Sequence, residues 1–181
     1  MAVWTSVIRE STVALSRCRT DGFRGFDFID VCCGKVRVLL VWKELFVQHG
    51  LNNSLTGIEM SSSLLEICRK NLARLSAEEV VLRSANILDV DFSAFSPKLV
   101  LYLYNPFDGR VMASFLDKLS DKELYIIYNN PAHLDVLIHA GFRVLAAGQG
   151  RYPLPPIQFF SALRCLSRKK LGVIDISLFR L

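Results

Sequence analysis

Short apolar-rich runs alternate along this chain with longer segments in which apolar positions recur every three or four residues. The runs, at 26–31, 55–59, 80–83, 99–104 and 124–128, have the length and β-branched or aromatic character of buried strands. Between them, Lys35–Gln48 is apolar on nearly every side and stops at Gly50, which predicts a buried helix. "SSSLLEICRKNLARL" opens on serine caps, with Ser63 and Glu66 at capping-box spacing, and sets Leu64, Leu65, Cys68, Leu72 and Leu75 along one face. Asp108 caps a further helix carrying Val111, Phe115 and Leu119, and "NNPAHLDVLIHAG" reads as cap, proline start, short amphipathic helix and glycine stop.

Strand–helix alternation of this kind predicts an α/β fold, a doubly wound, mostly parallel sheet with right-handed crossovers. After Gly141 the pattern changes to strand, Gly/Pro-rich connection, strand, an antiparallel hairpin. The final "LGVIDISLFRL" reads as one more strand or as a segment docked on the core. No internal repeat or linker divides the chain. The expected organisation is one domain over 1–181, with a helical segment at 1–25, a core at 26–147, and the hairpin and tail at 148–181.

Composition narrows the class. The chain has 181 residues with 51% hydrophobic content, enough for one well-cored domain and far from a disordered composition. No apolar run reaches bilayer length, and the first 25 residues lack the apolar stretch of a secretory signal, so a cytoplasmic protein without a membrane partner is expected. Arg and Ser in that segment keep a mitochondrial-targeting reading as the alternative. Five cysteines form no C-x-x-C and have no histidine at ligand spacing, which points to reduced thiols and no metal site. The net charge of +5 includes "SRKK" near the C-terminus without aromatic–basic interleaving, which argues for a solvated face and against nucleic acid.

The unusual polar residues fall at the carboxyl ends of the predicted strands, where open α/β sheets bind ligands. Asp30 ends the first strand and enters a turn at Cys32–Gly34, where small residues leave room for a ligand close to the backbone. Glu59 ends the second strand and suits a ribose diol. Asn86 follows the third strand and faces the position of an adenine amine. Asn105, Pro106 and Phe107 follow the fourth.

Taken in order, "DVCCGKVRVLL", "GIEMSSSLLEICRKNL", "SANILDVDF" and "LVLYLYNPF" resemble the class I S-adenosylmethionine-dependent methyltransferases. The resemblance is to a small group whose first motif reads D-x-G-x-G-K-G-R and whose fourth strand ends N-P-F. It spans residues 26–147 and implies a Rossmann-like methyltransferase sheet closed by the antiparallel hairpin. It further implies S-adenosylmethionine as cofactor: Asp30, Cys32 and Gly34 face its methionine part, Glu59 its ribose and Asn86 its adenine. The family often has an acid where Asn86 stands. Two loop glycines are replaced, by Cys32 and Val36. Cys32 costs little space at negative φ, and Val36 is expected in the first helical turn, where a β-branched side chain crowds the ligand.

The implied reaction is methyl transfer to an unidentified acceptor, a small molecule or a protein, by in-line attack that needs alignment and a dry pocket. An amine or amide nitrogen fits Asn105 as acceptor of its N–H, with Pro106 fixing the turn and Phe107 offering a π-face to a cation. Plainer readings stand beside these. Asp30 and Glu59 also suit helix caps, Asn105-Pro106 a simple turn, and Asn129 and Asn130 a cap rather than a pocket wall. Lys35 reads as a solvated helix-start residue and Cys68 as core, while His49, His133 and His139 receive no catalytic role. A methyltransferase-like binding module without catalysis is the second functional reading, and a nicotinamide-dependent oxidoreductase the third.

Overall fold

A computed structural model describes residues 5–145 and the backbone of the strand at 160–164. The elements in chain order are α1 (Thr5–Ser16), β1 (Asp27–Val31), α2 (Arg37–His49), β2 (Leu55–Glu59), α3 (Ser62–Arg74), β3 (Val81–Ser84), β4 (Lys98–Tyr104), α4 (Gly109–Asp117), β5 (Glu123–Asn129), α5 (Leu134–His139), β6 (Arg143–Val144) and β7 (Phe160–Arg164). Two 3-10 turns, Ile87–Asp89 and Phe92–Ala94, join β3 to β4.

The apolar runs are long enough for strands buried on both faces, and they pair as such. Their order is β3-β2-β1-β4-β5-β7-β6. The first five are parallel, with Asp30 opposite Gly57 of β2 and Tyr102 of β4. The expected hairpin is present in an inserted form. The strand β7 lies between β5 and β6 and pairs antiparallel with both, so β6 runs with β5. The "LGVIDISLFRL" segment lies outside the described residues.

Helices cover both faces. On one, α1, α2 and α3 bury Ile8, Leu15, Leu39, Trp42, Cys68 and Leu72 against Phe28, Val100, Tyr102 and Ile127. The Trp42 indole donates to Thr12 Oγ1 at 2.9 Å, which ties α2 to α1 inside that layer. On the other, α4 and α5 pack Met112, Phe115, Leu116 and Leu137 on Ile29, Leu101, Leu103 and Ile126. Burial on this scale, at about 25 cal/mol per Å² of apolar surface, is the main term holding the layers together.

Several local expectations change at helix ends. The helix placed at Lys35–Gln48 begins at Arg37, because Cys33–Val36 is consumed in a turn that closes with Val36 N–H donating to Cys33 O at 3.0 Å. The cap of α3 is Ser61, whose hydroxyl accepts from Leu64 N, and not the Ser63–Glu66 box. Leu75 falls past the α3 end and is 60% exposed, so the apolar face shortens to Leu65, Cys68 and Leu72. Asp108 caps α4 as expected, accepting from Arg110 and Val111 N–H at 2.9 Å, although buried Leu119 lies beyond that helix. Asn129 is not a cap: it is the last residue of β5, and α5 starts only at Leu134, with His133 before it.

Candidate cofactor site at the carboxyl ends of the strands

The segment from β1 into α2 makes a tight turn whose backbone is left-handed at alternate positions. Cys32, Gly34 and Val36 have φ of 59°, 55° and 63°. These are the three positions a glycine loop would occupy, and the path is kept although two of them carry side chains. The expectation of a negative φ at Cys32 is therefore corrected. So is the helical placement of Val36, which is the left-handed residue before α2. A positive φ crowds Cβ against the following carbonyl and costs about 1–2 kcal/mol per residue. Burial offsets that cost at Val36, whose side chain is fully enclosed in the α2 layer. Cys32 is exposed and has no such compensation.

Neighbouring elements fasten the turn. Cys33 N–H donates to Ile58 O at 3.0 Å, Gly34 N–H to Glu59 Oε2 at 3.1 Å, and the Cys68 thiol to Gly34 O at 2.8 Å. Asn71 Nδ2 reaches Lys35 O at 3.3 Å. Gly57 makes the close approach possible: a Cβ there would lie 2.8 Å from both Cys33 Sγ and Leu39 Cδ1. A Cβ on Gly34 would meet nothing within 4 Å, so the turn presents open space above its centre. The start of α2 has no side-chain cap at Val36.

Two carboxylates flank the turn in different states. Glu59 is buried, yet Oε2 accepts from Gly34 N–H and Oε1 from Ser61 N–H at 2.9 Å, so both its oxygens are served by backbone donors. Asp30 is 3% exposed, and its Oδ2 has no partner among the described residues. Burial pushes the Asp30 carboxyl well above the ordinary carboxylate range, and the charge of Glu59 pushes the same way. Although Cys32 is exposed as a residue, its thiol is partly desolvated by the turn around it, and this, then Glu59 and Asp30, pushes it up to about 11, while burial raises Cys33 further. Both thiols are thus neutral and poor nucleophiles at physiological pH.

Asn86 is exposed and caps the 3-10 turn that follows β3, its Oδ1 accepting from Leu88 N at 3.1 Å. Met60, which sequence reasoning passed over, directly follows Glu59 and is 70% exposed. A large apolar residue in solvent beside an acidic strand end was the available signal.

The ends of β4 and β5 build a second rim. Asn105 and Asn130 both take left-handed backbone, with φ of 42° and 52°, and both precede a proline. Asparagine tolerates this conformation far better than valine or cysteine. The Tyr128 hydroxyl donates to Asn105 Oδ1 at 3.2 Å, tying β5 to the turn after β4. Phe107 is half-buried, its ring packed edge-on against Phe115 of α4 at 5.6 Å. Asn129 is buried, donates Nδ2 to the Tyr102 hydroxyl at 3.0 Å, and leaves Oδ1 without a partner among the described residues. Two surface hollows lie away from Asp30, Glu59 and the β4 and β5 turns. One of about 750 Å³ lies along the outer side of α2, against Asn71 and Leu75 of the α3 region. The other, of about 520 Å³, lies at the amino ends of the strands.

Solved structures of known enzymes superpose on this fold. Magnesium protoporphyrin IX methyltransferase (ChlM) from Synechocystis PCC 6803, with bound SAM, superposes with a TM-score of 0.65 at 12% identity, over 89% of this chain and 79% of that one. This is the methyltransferase fold. An rRNA methylase from Streptococcus thermophilus matches with a TM-score of 0.58 at 14% identity, over 92% of this chain and 99% of the other. The glycopeptide N-methyltransferase MtfA, complexed with (S)-adenosyl-L-methionine, matches with a TM-score of 0.61 at 12% identity, over 84% and 92%. No family model matches the sequence, and no curated protein does. At these identities the likeness establishes the fold, and the fold puts the Cys32–Val36 turn, Glu59 and the Asn105 turn at one edge of its sheet. Among the described residues, no helix is long and apolar enough to cross a membrane.

Proposed function

We propose that this chain binds S-adenosylmethionine across the β1 and β2 ends and transfers its methyl group to an acceptor over the β4 and β5 ends. The observation that carries the reading is the left-handed turn at Cys32–Val36 laid between two buried acids, one of which has an unpartnered oxygen. A buried acceptor without a donor costs about 1–3 kcal/mol and marks a place where a ligand donor belongs. Asp30, with the Cys32–Gly34 backbone, holds the methionine end, Glu59 the ribose diol, and Asn86 and Met60 the adenine. When bound, the cofactor supplies an electrophilic methyl on a sulfonium, so no protein nucleophile is required. What this chain contributes is alignment and exclusion of water.

On the acceptor side, Asn105, Pro106 and Phe107 are proposed as the residues that touch the methyl acceptor. A carbonyl oxygen has two lone pairs, and Tyr128 takes one at Asn105, which leaves the second for an N–H of an amine or amide. Pro106 fixes the turn, and the exposed part of Phe107 lends a π-face to positive charge. A small molecule or a protein is the acceptor class this rim suits. The small group with the N-P-F ending remains the assignment its motif suggests.

The second reading, a methyltransferase-like binding module, draws on Cys32 and Val36, which hold a glycine path with side chains that disfavour it. Thermal denaturation separates the readings. S-adenosylhomocysteine is expected to raise the melting temperature while NAD does not, and Glu59→Ala is expected to weaken binding at least tenfold. No shift at millimolar S-adenosylhomocysteine sinks the enzyme reading and leaves the module. A shift with NAD alone would return the oxidoreductase.

A further inference from the structure

Four polar side chains cross one face of the sheet at its carboxyl end, one from each of four neighbouring strands. Asp30 faces Gly57 and Tyr102 in register, Glu59 lies two residues beyond Gly57, and Asn129 lies two beyond Ile127, the partner of Tyr102. The period of two puts Glu59, Asp30, Tyr102 and Asn129 on the same side. Three of the four are hydrogen-bonded: Glu59 takes two backbone N–H groups, and Tyr102 and Asn129 bond each other. Asp30 Oδ2 alone among the carboxylate oxygens of the row is sealed without a donor.

Titratable groups on four neighbouring segments interact electrostatically with Asp30. They are Glu59 on β2, Tyr102 on β4, Cys32 and Cys33 in the turn, and Cys68 on α3. None of these is a cation, and one is a second carboxyl group, Glu59, whose charge raises the pKa of Asp30. An ion in such a place is disfavoured by desolvation and by its like-charged neighbour, and a cation arriving beside it reverses both effects. S-adenosylmethionine brings a sulfonium and an ammonium; S-adenosylhomocysteine brings the ammonium only.

We propose that Asp30 selects the cationic cofactor over its neutral-sulfur product: it carries a proton in the empty site and releases that proton to solvent when S-adenosylmethionine enters. The inference rests on the cofactor reading above. The step balances as one O–H bond broken at Asp30, the proton taken up by buffer and the carboxylate left opposite the cofactor's positive charge; nothing is oxidised. Glu59 is placed differently, because both its oxygens already accept from backbone N–H groups. The preference for cofactor over product then grows with pH, since ionisation of Asp30 ceases to draw on binding energy as the solution becomes more basic.

Calorimetric titration with S-adenosylmethionine and with S-adenosylhomocysteine tests this between about pH 5.5 and 7.5, below the range of the ligands' own α-amino groups. In phosphate and in Tris, the S-adenosylmethionine enthalpies should differ by the buffer ionisation heat of up to one proton. Its Kd should fall toward about tenfold per pH unit, and the S-adenosylhomocysteine Kd by less. Asp30→Asn should remove the buffer dependence and flatten the ratio of the two constants. Infrared difference spectra of the wild type, which need no variant to fold, should lose a protonated-carboxyl band on addition of S-adenosylmethionine. Binding with no proton released, a ratio that is constant with pH, or an unchanged dependence in Asp30→Asn overturns the proposal. Absence of binding by either ligand at every pH overturns the cofactor reading itself, and is told apart by that.

Discussion

The turn after β1 and the turn after β4 solve the same geometric problem with different means. Each must reverse the chain sharply at the sheet edge, and each uses left-handed backbone to do so. At Asn105 the residue type suits the conformation, and one tyrosine hydroxyl fastens it. At Cys32 and Val36 the residue types oppose the conformation, and the surroundings impose it through Cys33 N–H, Gly34 N–H, Gly34 O, Lys35 O and the absence of a side chain at Gly57. A backbone path over-determined by its neighbours can be held with non-glycine residues, whereas a path held by one side chain is open to change. The fixed turn belongs to the shared part of the proposed chemistry, the cofactor. Under the proposed function the adjustable one would serve the acceptor, which differs among the methyltransferases this fold resembles.

The most damaging change on the fixed side is expected at Gly57. Gly57→Ala puts a methyl 2.8 Å from Cys33 Sγ and Leu39 Cδ1, and overpacking of this kind costs about 1–3 kcal/mol. Urea denaturation should record that loss, and adding Cys33→Ala should recover part of it. An undiminished midpoint for Gly57→Ala would mean that the turn is not pressed onto β2.

The two non-glycine positions of that turn should then behave differently. Cys32→Gly relieves a positive φ at an exposed residue and should raise stability by about 1 kcal/mol. Val36→Gly relieves similar strain but gives up a buried valine worth about 1.5–3 kcal/mol, so it should not stabilise and should lower the midpoint. Equal responses at both sites would contradict the view that burial of Val36 is what holds its conformation. Any gain in cofactor affinity should follow Cys32→Gly and not stability alone.

The smallest effect is expected on the adjustable side. Tyr128→Phe deletes one hydrogen bond to Asn105 and should cost about 1 kcal/mol. Its S-adenosylhomocysteine affinity should match the wild type's, since the hydroxyl lies at the β4 and β5 turns. A loss of cofactor affinity as large as that of Glu59→Ala would dissolve the division between the two turns.

Much of the architecture was legible from the chain, for reasons particular elements make plain. Leu99–Leu103 is an unbroken run of large, mostly aliphatic residues because both faces of β4 are covered, and a run of this kind is a strong signal. The insertion of β7 beside β5 was not legible, since two strands in sequence predict a hairpin but not which of them meets the sheet. Helix starts were misjudged where local backbone geometry decided them: Val36 has helix-compatible neighbours, and only its left-handed φ places it outside α2. The acids at 30 and 59 stood out by position, but their opposite hydrogen-bonding states depend on Gly34 and Ser61 N–H groups that no spacing rule reports. Asn129 was read as a cap because Asn-Asn-Pro is a common helix entry, whereas β5 extends one residue further and buries it.

The central claim is that the Cys32–Val36 turn and Glu59 form the cofactor site. Amide NMR spectra recorded during titration with S-adenosylhomocysteine test it residue by residue. The account predicts the largest shifts at Cys32–Val36 and at Glu59–Ser61, with the Gly34 amide foremost because its bond to Glu59 must share that carboxylate with the ribose. Undisturbed amides at these positions, or shifts gathered instead along the outer hollow of α2 at Val47, Asn71 and Leu75, would contradict it.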